Sequence, residues 1–369
     1  MNKILVLTNN ASGLFSFRAE VVKSFLDKGY SVTLAMPYDE LVGDFKAMGC
    51  KYINIPVDRR GVNPIKDLFL FFNYLKTIKL VKPNVVLTYT IKPNVYGGVA
   101  AAICKVPCLA NITGLGTAVE TPGLLQKLTL FMYRNGLKKD ACVFFQNQFN
   151  MDFCLQHGIS GIRNVLLPGS GVNLKKFENI PFPSEDTTEF IFISRIMRQK
   201  GIQEYLYVAE KLTLRYGNKV KFHVLGRCED THYEQVMRMA QDKGWVTWHG
   251  EQKDVRPFIA KVHCIIHPSF YPEGMSNVIL ECAASGRAAI TTKRPGCKET
   301  VVDGVTGYLV DEQNKEQVLE AAMKFIELPF SEKQIMGLNA RKYMESHFDR
   351  NIVINAYHKV IDSLTFIAR

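Results

Sequence analysis

The chain has 369 residues, of which 47% are hydrophobic and 22% are charged. That length exceeds one ordinary domain of about 100 to 200 residues, so we expect a globular chain of two domains and no extended disorder. No stretch reaches the roughly 18 consecutive apolar residues that a membrane-spanning helix needs. The apolar run in the opening MNKILVLTNNASG is too short for a targeting segment, and we expect a buried strand there.

The net charge of +11 is concentrated in the first half of the chain. Residues 1–180 carry 21 Lys and Arg against 11 Asp and Glu, a net +10, whereas residues 181–369 carry 25 against 24. A basic surface suits nucleic acid, an anionic membrane or a phosphorylated substrate. No basic arm, zinc motif or aromatic RNA-binding signature is present, which argues against nucleic acid. The nine cysteines form no CxxC pair, so we expect reduced cytoplasmic thiols and no metal site.

Short apolar runs alternate with helical patterns through the first half. The predicted strands are KILVLTN, YSVTLAM, CKYINIPV, NVVLTY, PCLANI, ACVFFQN and RNVLLP. Predicted helices lie between them, including one from about Ser16 to Lys28 and a long one from Pro64 to Leu80. Strands that alternate with helices indicate a parallel sheet covered on both faces.

A break in this alternation of strands and helices separates the two halves of the chain. Residues 168–189 are rich in Pro, Gly, Ser and charge, as linkers are, and we place the linker at 173–189. The alternation then restarts with EFIFISRI, VKFHVLG, VTWHGE, CIIHPS, RAAITTK and GYLV. We therefore predict an α/β chain of two Rossmann-like, doubly wound domains, residues 1–172 and 190–347. Ligands in such sheets bind at the carboxyl ends of the strands, so two facing sheets would form a cleft.

Two loops that follow the first strand of each half carry candidate binding residues. In TNNASGLFSFR, Gly13 would let the backbone approach a phosphate or sugar, or the loop is a plain turn with Ser16 as the helix cap. In ISRIMRQKG, Arg195 and Lys200 can converge on a diphosphate, or they belong to a solvated basic loop.

The stretch HPSFYPEGMSNVILECAASG predicts a strand end, a loop and a helix capped by Ser276. Free amides at Ser276, Asn277 and Val278 would present the positive end of a helix dipole to an anion. Glu273 can reach a sugar hydroxyl, and Glu281 can accept two hydrogen bonds from a ribose diol. The alternative is a capped surface helix with incidental acids. The candidate residues for binding a phosphate and a sugar are therefore Gly13, Arg195, Lys200, Gly274, Met275, Ser276, Asn277 and Glu281.

No two aspartates are spaced i, i+2, so no DxD motif is available to hold a divalent ion against a nucleotide diphosphate. A mechanism without metal or other cofactor must then neutralise a leaving diphosphate with Arg195, Lys200 and the helix terminus. The sequence offers all three groups.

Loops of the first half supply candidates for the opposite wall of the cleft. Gly114 and Gly116, in ANITGLGTAVETPG, would bring the backbone close to a ligand, and Lys92 and Asn94 follow another strand. A lysine at that position can bind an acceptor phosphate, or it is exposed on a Pro-containing turn.

The segment at residues 124–140 mixes Leu, Phe, Met and Tyr with four basic side chains. It can lie on an anionic bilayer, or it packs on its sheet as most such helices do. His267 is the histidine nearest the proposed cleft, although a packed, hydrogen-bonded histidine is the simpler interpretation.

The motifs SRIMRQKG, VLG, HPSFYPEGMSNVILECAASGRAAI and VVDGVTGYLV, in that order, resemble the nucleotide-sugar half of the retaining glycosyltransferases of family four, which have the GT-B fold. Glu273 and Glu281 resemble that family's E-x7-E pair, and a helix near 348–369 resembles the one that crosses back to the first domain. TYTIKPNVYGG and NITGLGTAVE resemble a bacterial subgroup that extends polyprenyl-diphosphate-linked glycans. Many members place a histidine near the strand NVVLTY, whereas this chain has Leu87, Thr88, Tyr89 and Thr90 there.

This resemblance implies a retaining, metal-independent transferase that moves a hexose or N-acetylhexosamine from a UDP-sugar to a lipid-linked saccharide at the inner face of the cell membrane. It implies that Arg195 and Lys200 bind the donor diphosphate, Glu281 the ribose and Glu273 the transferred sugar. Glu273, Arg195 and Lys200 are thus the expected catalytic residues. The alternatives are a UDP-sugar epimerase of related fold and a sugar-nucleotide-binding subunit without activity.

Overall fold

A computed structural model describes residues 2–58, 61, 63–116, 119 and 122–367. The chain divides into two compact units, Met1–Ser170 with Asn351–Arg369 and Gly171–Arg350. Each unit contains one parallel sheet with helices, so the prediction of two wound α/β domains is confirmed. The segment predicted as a linker, residues 173–189, belongs to the second unit, whose first strand already begins at Thr188.

The first unit is built on a seven-stranded parallel sheet of order β3-β2-β1-β4-β5-β6-β7. The strands β1 to β7 are Lys3–Leu7, Ser31–Met36, Lys51–Asn54, Val85–Tyr89, Cys108–Ile112, Cys142–Phe145 and Asn164–Leu166. The four central strands are almost wholly buried, because helices cover both faces of the sheet. This burial explains why they read in the sequence as continuous apolar runs.

Helices α1 to α6 of the first unit connect these strands. They are Ala11–Asp27, Val42–Ala47, Pro64–Val81, Gly98–Ile103, Leu124–Leu137 and Gln148–Gln156, with a π-helical turn at Pro93–Gly97. The first helix begins five residues before Ser16, because the side chain of Asn10 accepts a hydrogen bond from the Gly13 amide and caps it. The alternative of Ser16 as the cap is therefore wrong.

The second unit is built on a six-stranded parallel sheet of order β10-β9-β8-β11-β12-β13. The strands β8 to β13 are Thr188–Ile193, Val220–Leu225, Thr247–Trp248, Cys264–His267, Ala288–Thr292 and Gly307–Val310. Helices α7 to α12 are Ile202–Tyr216, Thr231–Asp242, Arg256–Ile259, Asn277–Ala284, Lys315–Glu327 and Phe330–His347.

The last helix, α13 (Arg350–Ile367), starts at the end of the second unit, and its remaining residues belong to the first. Val353, Tyr357 and Ile361, spaced four residues apart on one helix face, are fully buried in the hydrophobic core of the first unit. The Tyr357 hydroxyl donates a hydrogen bond to Oδ1 of Asn111 on β5. Among the described residues, no helix is long and apolar enough to cross a bilayer.

Replacement of Tyr357 by Phe should destabilise the first unit, because it removes the hydroxyl that satisfies the buried Asn111 side chain. A buried polar group left without its partner costs about 1 to 3 kcal/mol. Urea unfolding followed by circular dichroism measures the loss. Tyr38→Phe is the control, since Tyr38 is 73% exposed; equal stability of the two variants would contradict the assignment.

Candidate active site

The loop after β8 is shaped by a glycine that packs against a second loop. A short 3-10 turn, Arg198–Lys200, ends at Gly201, whose φ of +80° lies in the left-handed region. A Cβ on Gly201 would lie 2.2 Å from the carbonyl oxygen of Pro268, in the loop after β11. Only glycine therefore lets the two loops approach closely, as parallel neighbouring strands with adjacent carboxyl ends require.

A nearly buried ion pair joins these two loops. The Lys200 ammonium contacts Oε1 of Glu273, and the two side chains are only 11% and 13% exposed. Lys200 also lies over the ring of Tyr271, with Nζ 4.6 Å from the ring centroid. The structure thus brings together the predicted residues Lys200 and Glu273, which are 73 positions apart in the sequence.

His267 and Ser269 complete the surroundings of Glu273. The Ser269 hydroxyl donates to Oε1 of Glu273 at 3.3 Å, and Nε2 of His267 lies 3.6 Å from the same oxygen. Burial lowers the pKa of His267, and Glu273 only partly offsets that effect. Burial raises the pKa of Glu273, but Lys200 and His267 lower it more, to about 2. Glu273 is therefore an anion at neutral pH, beside a neutral imidazole.

The imidazole of His267 differs from the expected hydrogen-bonded histidine. The residue is buried and packs against Phe192, but neither ring nitrogen has a hydrogen-bond partner among the described residues. Its backbone carbonyl accepts a hydrogen bond from the Thr291 hydroxyl at 2.7 Å. This hydrogen bond was not predictable from a local pattern, because Thr291 lies on the neighbouring strand β12, 24 positions away.

Arg195 lies in the same loop as Lys200 and supplies a second cation. Its side chain is about one-third exposed, it pairs with Glu229 at 3.2 Å, and its Cζ atom lies 5.4 Å from the Tyr271 ring centroid. Tyr271 thus contacts both cations, a role that sequence inspection missed although the residue stands two positions before Glu273. Two cations at the carboxyl end of β8 can neutralise a phosphate or diphosphate.

The helix start after Glu273 differs in one respect from the prediction. Ser276 occupies the cap position of Asn277–Ala284, but its hydroxyl makes no capping hydrogen bond. Its backbone amide donates to the carbonyl of Gly296 at 2.7 Å, so the expectation of a free Ser276 amide is wrong. Gly296 follows β12 with φ +90°, and a Cβ there would lie 2.9 Å from the Glu273 carbonyl oxygen.

The loop residues before the helix are buried. Gly274 and Met275 lie between Glu273 and the cap residue. The Ser276 hydroxyl is buried without a partner among the described residues. The Leu280 amide donates to the Ser276 carbonyl at 3.3 Å, as expected for a cap residue whose carbonyl accepts an early hydrogen bond of the helix.

Glu281 lies in the second turn of that helix and is partly buried. Burial raises the pKa of its carboxyl to about 7, although Lys176 and Arg350 act in the opposite direction. Glu281 does not share the direct partners of Glu273. The two acids of the predicted pair therefore differ in charge state near neutral pH, one fully ionised and one about half protonated.

Two acceptor-side candidates of the first unit already have partners. Lys92 forms an ion pair with Asp67 at 2.5 Å, and both side chains are largely buried. Asn94 is fully buried, accepts from the Thr88 hydroxyl and donates to the Asn111 carbonyl, both at 2.8 Å. Asn94 therefore holds neighbouring strands together, which corrects its prediction as an acceptor ligand.

The three glycines of the first unit that were predicted to contact a ligand lie in two different segments, one at the start of the helix after β1 and two in the loop after β5. The Gly13 amide donates to the Asn10 side chain within the first helical turn, and the assignment of Gly13 to ligand binding stays a prediction. Gly114 and Gly116 have φ values of +145° and +72° in the loop after β5. Residues 117, 118, 120 and 121 of the same motif lie outside the described residues.

Among the described residues, no group of three or more His, Cys, Asp or Glu side chains is arranged to hold a metal ion.

Two protein-family models match the chain. Residues 187–327 match the model "Glycosyl transferases group 1", and residues 3–147 match "Glycosyl transferase 4-like". The two matches fall in the second and first units, respectively, and together span most of both sheets.

Similar proteins cover nearly the whole chain. An N,N'-diacetylbacillosaminyl-diphospho-undecaprenol alpha-1,3-N-acetylgalactosaminyltransferase of Campylobacter jejuni is 24% identical, and the match covers 98% of each chain. The capsular polysaccharide biosynthesis glycosyltransferase CapM of Staphylococcus aureus is 26% identical over 79% of this chain and 82% of its own. The crystal structure of Anabaena HepE in complex with UDP and glucose superposes with a TM-score of 0.81 at 16% identity, covering 98% of this chain and all of that one.

The raised pKa of Glu281 predicts a pH-dependent stability of the second unit. Its carboxyl has a folded pKa of about 7 against an ordinary value of 4.5, so its contribution to stability is fully present below pH 4.5 and is lost as pH rises through 7. By linkage, the total loss is about 3 kcal/mol.

Unfolding free energies of wild type and Glu281→Gln, measured between pH 4.5 and 8, test this expectation. Both tryptophans, Trp245 and Trp248, lie in the second unit, so tryptophan fluorescence reports its unfolding specifically. The wild type should lose stability relative to the variant as pH rises; a constant difference between them would show that Glu281 has an ordinary pKa.

Proposed function

Because the chain is a glycosyltransferase of the family-four type, we propose that it moves a hexose or N-acetylhexosamine from a UDP-sugar to a polyprenyl-diphosphate-linked saccharide, with retention of configuration. The observation that carries this proposal is the buried pair of Lys200 and Glu273, with Arg195 in the same loop at the carboxyl end of β8. The site offers two cations for a diphosphate and one carboxylate for a sugar hydroxyl.

Similar proteins support the substrate classes. HepE has been crystallised with UDP and glucose, which agrees with a UDP-sugar donor. The Campylobacter relative is named for a diphospho-undecaprenol acceptor and N-acetylgalactosamine transfer. We extend both features to this chain as part of the proposal.

In the proposed reaction, the bond between the anomeric carbon and the UDP oxygen breaks while a bond from that carbon to the acceptor oxygen forms on the same face. The electron pair of the broken bond leaves with the diphosphate, which develops negative charge, and an oxygen of that diphosphate takes the proton of the acceptor hydroxyl. Arg195 and Lys200 stabilise that charge, which makes a divalent ion unnecessary. Glu273 binds the transferred sugar, Glu281 binds the ribose diol, and the loop from Gly274 to Asn277 borders the diphosphate.

Arg195 and Lys200 already form ion pairs, so a diphosphate must compete with their acidic partners. Arg195 already pairs with Glu229, and Lys200 with Glu273. A diphosphate with two negative charges competes well for both cations, and each can bind it without releasing its acid, since guanidinium and ammonium groups have several donors.

A lipid-linked acceptor places the enzyme at a membrane, and one helix of the first unit suits that location. In Leu124–Leu137, four large apolar side chains are exposed although they belong to an ordered helix: Leu124, Leu125, Leu128 and Phe131. Lys127, Arg134, Lys138 and Lys139 are also exposed, and the helix has no acidic residue. Exposed apolar groups among cations fit an anionic bilayer.

A second helix, which the sequence did not single out for this role, extends the exposed apolar area. Pro64–Val81 exposes Ile65, Leu68, Phe69 and Phe72, spaced along one helix face, with Lys66, Lys76 and Lys79 nearby. Both helices contact the π-helical turn Pro93–Gly97. We call the two exposed faces together the apolar-basic surface and propose that it binds the inner leaflet of the cell membrane.

Transfer itself is tested by incubating the chain with a panel of UDP-sugars and membrane-derived lipid acceptors, followed by mass spectrometry. We expect UDP release and a product heavier by one hexose or N-acetylhexosamine. Lys200→Ala should lower turnover about tenfold or more, because a charge-assisted contact contributes about 1.5 to 3 kcal/mol. The exposed Lys211→Ala is the matched control.

Two outcomes would contradict the transfer proposal. Conversion of the UDP-sugar to an isomer without any acceptor would identify an epimerase. UDP binding without turnover on any acceptor of the panel would identify a binding subunit.

Flotation with phosphatidylglycerol vesicles tests the apolar-basic surface. Leu128→Ser/Phe131→Ser and Phe69→Ser/Phe72→Ser should each weaken binding about tenfold or more, because each removes two large apolar groups from the lipid contact. The control is Leu214→Ser/Met239→Ser, which alters two exposed apolar residues of the second unit. The membrane proposal fails if all three variants bind equally, or if neutral phosphatidylcholine vesicles bind as well as anionic ones.

A further inference from the structure

The centre of the first sheet has the topology that forms ligand sites in α/β proteins. The strand order β3-β2-β1-β4-β5-β6-β7 places β2 and β3 on one side of β1 and the later strands on the far side of β4. Connections therefore run in opposite directions from β1 and β4. In open parallel sheets, ligands bind outside the carboxyl ends of the strands at such a switch point.

A buried arginine lies at this switch point. Arg18, on the helix that follows β1, is only 3% exposed, and its Cζ atom lies 5.9 Å from the ring centroid of Tyr89, the last residue of β4. Nη1 donates to the Phe17 carbonyl at 2.9 Å, whereas Nε has no hydrogen-bond partner within the described part of the chain. Among the described residues, no carboxylate forms an ion pair with Arg18.

Another buried arginine, Arg287, provides a comparison, because its guanidinium has a structural role and its hydrogen-bond donors are all used. Arg287, in the second unit, is completely buried, and all three of its nitrogens donate to backbone carbonyls. The acceptors, 2.9 to 3.4 Å away, are the carbonyl oxygens of Ile180, Pro181, Ile259, Ala260 and Gly286. Arg18 has one such bond, to the Phe17 carbonyl, and its guanidinium also interacts with the hydroxyls of Tyr89 and Tyr357. All of these partners are neutral, and a buried cation is stabilised most by an anion.

The neighbouring polar groups supply no anion. The Tyr89 hydroxyl donates to the Tyr357 hydroxyl at 3.3 Å, and Tyr357 in turn donates to Asn111. Burial raises the pKa of Tyr89 well above its ordinary value, so its hydroxyl stays neutral. Thr90, directly after Tyr89, has φ +75° and a buried hydroxyl with no partner among the described residues. This sheet edge thus has a cation and a spare hydroxyl donor.

We propose that Arg18 binds an oxyanion of the lipid-linked acceptor, namely its diphosphate. This inference rests on the proposed function for the identity of the acceptor. The guanidinium fork matches two oxygens of a phosphate group, and the Thr90 hydroxyl is a further donor at the same edge. The donor diphosphate has its own cations, Arg195 and Lys200, in the second unit, so Arg18 is assigned to the acceptor.

Direct binding tests the site without requiring turnover. Inorganic pyrophosphate is titrated calorimetrically into the full chain in the presence of saturating UDP. We expect wild type to bind it, Arg18→Gln to weaken binding about tenfold or more, and Arg18→Lys to give an intermediate affinity because it retains the charge without the fork. Equal pyrophosphate affinity of folded wild type and folded Arg18 variants would overturn the proposal, even if the chain transfers sugar.

Two matched variants separate ligand binding from a structural role. Arg287→Gln should lower the thermal midpoint and leave pyrophosphate affinity unchanged, and Arg163→Gln, an exposed arginine of the first unit, should change neither. If Arg18→Gln lowers the thermal midpoint as Arg287→Gln does while pyrophosphate affinity persists, Arg18 is structural and the proposal is wrong.

Steady-state kinetics assign the oxyanion to one substrate. Arg18→Gln should raise the KM for the lipid-linked acceptor about tenfold or more, with the KM for the UDP-sugar changed less than threefold. A rise in the KM for the UDP-sugar alone would overturn the assignment to the acceptor. Absence of transfer in wild type, with pyrophosphate binding intact and dependent on Arg18, would refute the proposed function but leave the oxyanion site standing.

Discussion

The ion pair between Lys200 and Glu273 is the interaction on which the rest of the second unit's site depends. Removal of two charges from water costs several kcal/mol for each ion, and the pair tolerates that cost only if the geometry is good and other polar groups assist. Ser269 donates to the same carboxylate oxygen, and Tyr271 lies under the ammonium. Two glycines, Gly201 and Gly296, allow the loops that carry these groups to approach each other's backbone.

The parallel topology of the sheets explains why charged and polar residues that are far apart in the sequence lie close together at the carboxyl edge of a sheet. Since every strand of each sheet runs in the same direction, the loops that follow the strands meet at the carboxyl edge. In the second unit this edge holds Arg195, Lys200 and Glu273. In the first unit, Thr90 directly follows β4, and Arg18 lies on the helix after β1, beside Tyr89 at the end of β4. The buried strands are rigid, and the loops and helix starts that follow them carry the charged side chains.

Much of the fold was predictable because parallel strands covered on both faces read as uninterrupted apolar runs. The site residues of the second unit were predictable in part, since Arg195, Lys200 and Glu273 directly follow such strands. Two of the differences between prediction and structure have a common physical origin. Lys92 is paired with Asp67, and the Ser276 amide with Gly296, and these partners are about 20 or more positions away, where no local pattern indicates them. Arg18 escaped notice because a single arginine in a helix shows neither its burial nor its missing partners.

The cap of the first helix illustrates a different limit. Both Asn10 and Ser16 are good capping residues, and the choice between them depends on where the chain leaves β1. The assignment of residues 173–189 likewise depended on composition, since Pro and Ser are frequent in linkers, whereas that segment lies within the second unit. The composition of the segment predicted a domain boundary in this region. The position of that boundary depends on which unit the segment packs against, and composition does not show this.

We propose above all that the second unit binds a nucleotide diphosphate through Lys200 and Arg195, without the help of a metal ion. Calorimetric titration of UDP into the full chain in excess EDTA tests it most directly. The account predicts that UDP binds under these conditions and that Lys200→Ala weakens the affinity about tenfold or more. Binding that requires a divalent ion, or equal UDP affinity of wild type and Lys200→Ala, would contradict it.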